Sequence, residues 1–154
     1  MLTLQTVLDV RGLSGRQVTD FLLNCDDKQY QRWWNGTHLQ FHTIKRYSED
    51  IGNVVYMDEY VGKRRLKMQA IVLKAVSGRE IIWQMKKGIR LPVWLALTVE
   101  DIKDSVRITH TITAGFRGIG KALDPLFRLY LSEEFEKAMD EHARIEFPKL
   151  REIL

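Results

Sequence analysis

The sequence predicts an α+β protein, a seven-stranded antiparallel sheet packed on a long C-terminal helix, with two short helices after the first strand. Three observations carry this. Six period-2 apolar runs follow one another between about 38 and 115, parted by gaps of two to seven residues. Such gaps suit antiparallel neighbours, because a parallel crossover needs about a dozen residues. A further strand-like run opens the chain, and a helical apolar pattern closes it. A sheet and a helix with one apolar face each must bury those faces against each other.

Residues 2 to 10 read as the first strand. "SGRQVTDFLLNCDDKQYQRWW" reads as one or two short helices, with Ser14 as a cap before one and Asp26 or Asp27 before the next. The later strands are expected at 38–47, 53–61, 64–76, 79–87, 92–102 and 105–115. "SEDIGN", "GK", "SG", "KKGIRLP" and "KDS" break them apart. Asp124–Pro125 then reads as a cap followed by a first helical residue. Phe127, Leu131, Phe135, Ala138, His142 and Ile145 recur at helical spacing, so one amphipathic helix of five to six turns is expected, kinked or ended by Pro148.

"GFRGIGKA" at 115–122 matches G-x-x-x-x-G-K through Gly115, Gly120 and Lys121, but Ala122 stands where a magnesium-binding hydroxyl belongs. A phosphate loop also follows the first strand of a parallel sheet, and here it follows the last strand of an antiparallel one. The glycines are therefore read as a sharp turn, with Phe116 and Ile119 covering the mouth of the space beneath.

The 154 residues make one domain, 1–154, large enough for a core without staples. One cysteine, Cys25, excludes an internal disulfide and an all-cysteine metal site. No membrane span or signal peptide is read, and the expected setting is cytoplasmic. The net charge of +4 is mild, and Arg65, Lys67 and Gln69 read as the solvated face of a strand, so no nucleic-acid partner is expected.

Four segments carry a resemblance: "YQRWWNGTH", "REIIWQMKK", "LTVEDIKDSVRITHTITAGF" and "DEHARIEFPKLREIL". In their order and apolar spacing they resemble the START-like, helix-grip superfamily, which includes polyketide cyclase/dehydrase-like (SRPBCC) proteins. The resemblance implies a sheet curled around the C-terminal helix with an apolar cavity between them. It also implies a hydrophobic or amphipathic small-molecule ligand, lipid- or polyketide-like.

His110 shares a strand face with Val106, Ile108 and Ile112, and His142 lies on the apolar stripe of the helix, so both point inward. They are either polar anchors or proton-transfer groups in a cavity, or core histidines with satisfied partners. Trp83, Met68, Met85 and Leu97 form core or cavity wall, and Phe116 and Phe135 complete the candidate lining. One of Asp58 and Glu59 faces inward, and Glu59 is carried as the ligand-binding candidate. Of Trp33 and Trp34, at least one is partly exposed. His38, Gln40 and His42 share the less apolar face of their strand and are expected at the surface. No carboxylate is placed to complete a histidine set, so no metal and no cofactor are expected. A binding protein, a cyclase/dehydrase-type enzyme using His110 or His142, and an interaction module with a basic 63–67 edge all fit. The last would have a filled core.

Overall fold

The computed structural model describes all 154 residues. Strand β1 (Leu2–Arg11) leads into helices α1 (Gly15–Asn24) and α2 (Asp27–Trp33). Six strands follow: β2 (His38–Lys45), β3 (Val54–Val61), β4 (Arg64–Val76), β5 (Glu80–Lys87), β6 (Ile89–Ile102) and β7 (Ser105–Ala114). A 3-10 turn (Gly118–Leu123) and a short helix α3 (Pro125–Tyr130) precede the long helix α4 (Glu133–Lys149). The sheet is antiparallel throughout, in the order β1-β7-β6-β5-β4-β3-β2. The meander β2 to β7 needs only turns. The two helices carry the chain from β1 across to the far edge, where β2 begins.

Local chemistry explains the helix starts. Ser14 accepts from the Gln17 amide, and Asp26 accepts from the Gln29 amide. Each glutamine side chain returns a bond to the cap backbone, so both helices start on reciprocal capping boxes. The one long terminal helix expected from Asp124 is instead two. The chain leaves helical geometry at Leu131, and Ser132 caps α4 by accepting from the Phe135 amide. Asp124 does not cap with its side chain. Its carboxylate accepts the Phe116 amide at 2.8 Å, tying the glycine loop to the start of α3. The buried stripe of α4 is Phe135, Met139, His142, Ala143, Glu146 and Phe147, whereas Ile145 is about half exposed. Within α4 the buried stripe lies to the Met139 and Ala143 side of Phe135 and His142, which leaves Ile145 on the opposite flank. Pro148 lies in the last turn of α4 and does not end it.

Strand alternation is as expected over most of the sheet. Val106, Ile108, His110, Ile112 and Ala114 of β7 are all buried, as are Ile81, Trp83 and Met85 of β5. One apolar core of 22 buried residues runs from α1 and α2 through Trp83, Met85 and Leu97 to Phe147 and Leu150. A smaller one joins Leu4, Val61, Leu66, Ile112, Leu131, Phe135 and Met139, and Met68 packs against both.

The expected alternation fails at the start of β2. His38 faces Glu59 while Gln40 faces Asp58, so Leu39 is an extra residue in the strand. A bulge of this kind reverses the parity of the later residues in the strand. Both His38 and Phe41 therefore point inward, and the expectation that His38 lies at the surface is corrected: it is fully buried. The Gln31 side chain donates to the Leu39 carbonyl at 2.8 Å and holds the bulge against α2. His42 stays near the surface, with its Nδ1 2.8 Å from Asp27.

Candidate functional site

Two places between sheet and helix concentrate chemistry. The first is a buried knot at the β2–β3 edge. The α4 helix presents His142 and Glu146 one turn apart, on the face that meets the sheet. His38 enters from β2 because of the bulge, and Glu59 enters from its register partner position on β3. His38 Nε2 lies 3.2 Å from Glu146 Oε2 and 3.7 Å from Glu59 Oε2. His142 Nε2 lies 3.3 Å from each of the same two oxygens. Both ring nitrogens of His38 and Nε2 of His142 are buried without a correctly directed hydrogen-bond partner. One ligating atom from each of the four residues lies within 4.8 Å of every other.

An aromatic cage surrounds the knot. Tyr30 stacks on His38 with ring centroids 4.0 Å apart and planes 8° from parallel. Its hydroxyl donates to Glu59 Oε2 at 2.7 Å. Burial, followed by the charges of Glu59 and Glu146, holds this phenol far above its usual range, so it remains a donor. Trp33 packs edge-on against His38, and its indole N–H donates to the Glu146 carbonyl at 2.6 Å. Trp34 is half-buried over His142, at 4.8 Å between centroids, beneath the Lys149 ammonium. No arginine or lysine enters: the ion-pair partners of Glu59 and Glu146 are the two histidines. Burial alone would push the His142 pKa down, but the Glu146 and Glu59 carboxylates outweigh it and raise it. Burial would raise Glu146, and His142 with His38 brings it below the usual carboxylate range.

The second place is an open cleft of about 500 Å³ between β1 and α4. Leu4, Thr6, His110 and Met139 form its buried floor; Glu133, Glu136, Lys137, Asp140 and Glu141 lie along its helical side. The Thr6 hydroxyl donates to Asp140 at 2.7 Å and ties the two walls together. His110 is only 7% exposed. Burial lowers its pKa against the opposing fields of Glu146 and Glu59, leaving a neutral imidazole at the cleft floor.

The candidate residues separate accordingly. Both histidines point inward as expected, but His110 opens on the cleft while His142 belongs to the knot. Glu59 turns into the knot. Asp58 is buried by other means, through a bidentate bond from Arg65 at 2.8 and 2.9 Å. Trp83, Met85 and Leu97 pack in the main core, with Met68 against it. Phe135 lines a smaller cleft of about 220 Å³ with Val61, Arg64 and Ser132. Phe116 packs on Phe127, whereas Ile119 is 98% exposed and covers nothing. The glycines beside them close a turn: a Cβ on Gly120 would stand 2.7 Å from that of Phe116. Trp33 is buried and Trp34 partly exposed, as expected.

The expectation that no carboxylate completes a histidine set is corrected by Glu59 and Glu146. Glu146 was legible only as the residue one turn after an inward His142.

No family model matches the chain, and no curated protein matches it by sequence. Solved structures do match in shape. A Thermus thermophilus protein superposes with a TM-score of 0.67 at 11% identity, covering 98% of this chain and 95% of the other. The KanY protein gives 0.65 at 8% identity, with 99% and 96% covered. A START superfamily protein from Mycobacterium smegmatis gives 0.57 at 14% identity, with 91% and 95% covered. At these identities the likeness is one of fold. With a seven-stranded sheet wrapped on one long C-terminal helix, the chain has the START-like, helix-grip fold.

Proposed function

We propose that the protein binds a small amphipathic molecule in the cleft between β1 and α4, oriented by His110. The observation that carries this reading is a nearly buried, neutral histidine at the floor of an open cleft of about 500 Å³. That volume suits a small-molecule site, typically about 300–1,000 Å³. The helix-grip fold is consistent with the reading, since it sets a sheet and a helix apart along one edge.

The lining narrows the ligand class. Leu4 and Met139 are the apolar contacts, and four carboxylates stand against one lysine. A purely hydrocarbon ligand would take water from Glu133, Lys137 and Glu141 and return no hydrogen bond. A molecule with an apolar body and hydroxyl or amine groups would satisfy them. A second reading, a cyclase- or dehydrase-type enzyme, uses the same cleft: a neutral imidazole is a competent proton acceptor near neutral pH.

The test is native mass spectrometry of the protein from its own source, with identification of any co-purifying molecule. A 1:1 amphipathic ligand is expected. Its affinity should fall roughly three- to tenfold in His110→Phe, the worth of one hydrogen bond. Turnover of that ligand by the wild type, lost in His110→Phe, would establish the enzyme reading instead. A ligand bound equally well by His110→Phe would place the site elsewhere.

A further inference from the structure

We propose that His38, Glu59, His142 and Glu146 form a closed binding site for one divalent transition-metal ion, zinc by donor set. The inference is independent of the cleft and of any ligand it holds.

The spacing is the first argument. Four ligands at about 2.0–2.1 Å from a tetrahedral zinc stand about 3.3–3.4 Å from one another. The four nitrogen–oxygen edges of the knot measure 3.2, 3.3, 3.3 and 3.7 Å, and the nitrogen–nitrogen and oxygen–oxygen ones lie within 4.8 Å, so the set brackets one small ion. Direction is the second. Three of these separations are short enough for hydrogen bonds, yet neither Nε2 has an aligned acceptor. In a tetrahedral site each ligand's lone pair points at the centre, about 35° away from its neighbours. Close but misdirected pairs are the signature of atoms converging on a common point between them.

Charge is the third. Buried Glu146 and partly buried Glu59 stand together, and no arginine or lysine enters the knot. Two neutral imidazoles, two carboxylates and one divalent ion sum to zero, so a divalent ion can replace protons on the histidines as the counter-charge. Imidazole and carboxylate ligands suit zinc among the first-row ions. The Tyr30 hydroxyl bonded to Glu59 and the Trp33 indole bonded to the Glu146 backbone act as outer-shell supports. With four protein ligands the site has no open position, so its role is structural. It fastens the β2–β3 edge to the C-terminal half of α4, joining His38 to residues more than a hundred positions later in sequence.

The experiment uses the full chain, stripped with a chelator and shown to be folded by circular dichroism. It is titrated separately with Zn²⁺ and Co²⁺, with metal content measured by mass spectrometry. One equivalent of each ion, an intense visible Co²⁺ spectrum of tetrahedral type and a rise in Tm with zinc are expected. Glu146→Gln and His38→Gln should each weaken zinc at least tenfold. His42→Ala, which removes the surface histidine beside Asp27, should leave binding unchanged. A folded wild-type chain that takes up no stoichiometric ion overturns the proposal without recourse to any variant. So does uptake that survives Glu146→Gln and His38→Gln undiminished, or uptake that disappears in His42→Ala.

Discussion

His110 and His142 are equally buried, lie on facing elements and both point into the space between sheet and helix, yet their surroundings make them chemically opposite. His142 meets two carboxylates at 3.3 Å, and their charge overrides the desolvation that burial imposes. His110 has Phe147 as its aromatic neighbour and meets no carboxylate at bonding distance, so desolvation prevails. Burial alone therefore does not decide a histidine's charge; the nearest counter-charge does. One end of the interior is a closed, charge-balanced knot and the other an open cleft with a neutral base at its floor.

Phe147 joins these ends, touching both His110 and Trp33. Phe147→Ala removes a buried ring from the main core and is expected to cost about 3–5 kcal/mol in denaturant unfolding. A much smaller loss would mean that the two ends are packed independently.

The two histidines give the sharpest contrast. His142→Phe leaves Glu59 and Glu146 with His38 as their one remaining histidine and is expected to cost about 3 kcal/mol. His110→Phe replaces a neutral ring at a cleft floor and should stay within about 1 kcal/mol. Equal losses, measured side by side by thermal unfolding, would break the comparison.

Ser132→Ala removes the cap of α4, which carries the ligating pair of the knot and one wall of the cleft. It is expected to cost about 1 kcal/mol. Ser132→Asp should restore most of that loss.

The smallest effect lies at the β1 edge behind the cleft, where Arg107 donates to both Asp9 oxygens at 2.9 and 3.1 Å. That hydrogen bond holds the Asp9 carboxyl below its usual 3.8. The pair's contribution is therefore present above pH 3.8 and lost as the pH falls through the lowered value. Asp9→Asn should be slightly less stable than the wild type at neutral pH and indistinguishable from it in strong acid. A gap that persists in acid would show that Asp9 acts through packing.

The sequence by itself determined the seven strands, their antiparallel pairing, the caps of the first two helices and the inward direction of His110 and His142. All of these rest on periodicity and capping within a few residues, and short gaps leave little choice of neighbour. It also held the glycine turn: Gly115 and Gly120 pack too tightly for a Cβ, against Met1 and Phe116. Only the tertiary structure decided the knot. A single extra residue at Leu39 gives His38 and Phe41 the same inward face, and period-2 reading has no means of detecting a bulge, here bonded by a glutamine on another element. The inward choice of Glu59 depended likewise on Tyr30, and the role of Glu146 on a histidine more than a hundred residues earlier. Local patterns specify which face a residue occupies; a site whose members come from β2, β3 and α4 exists only once long-range packing has brought those faces together.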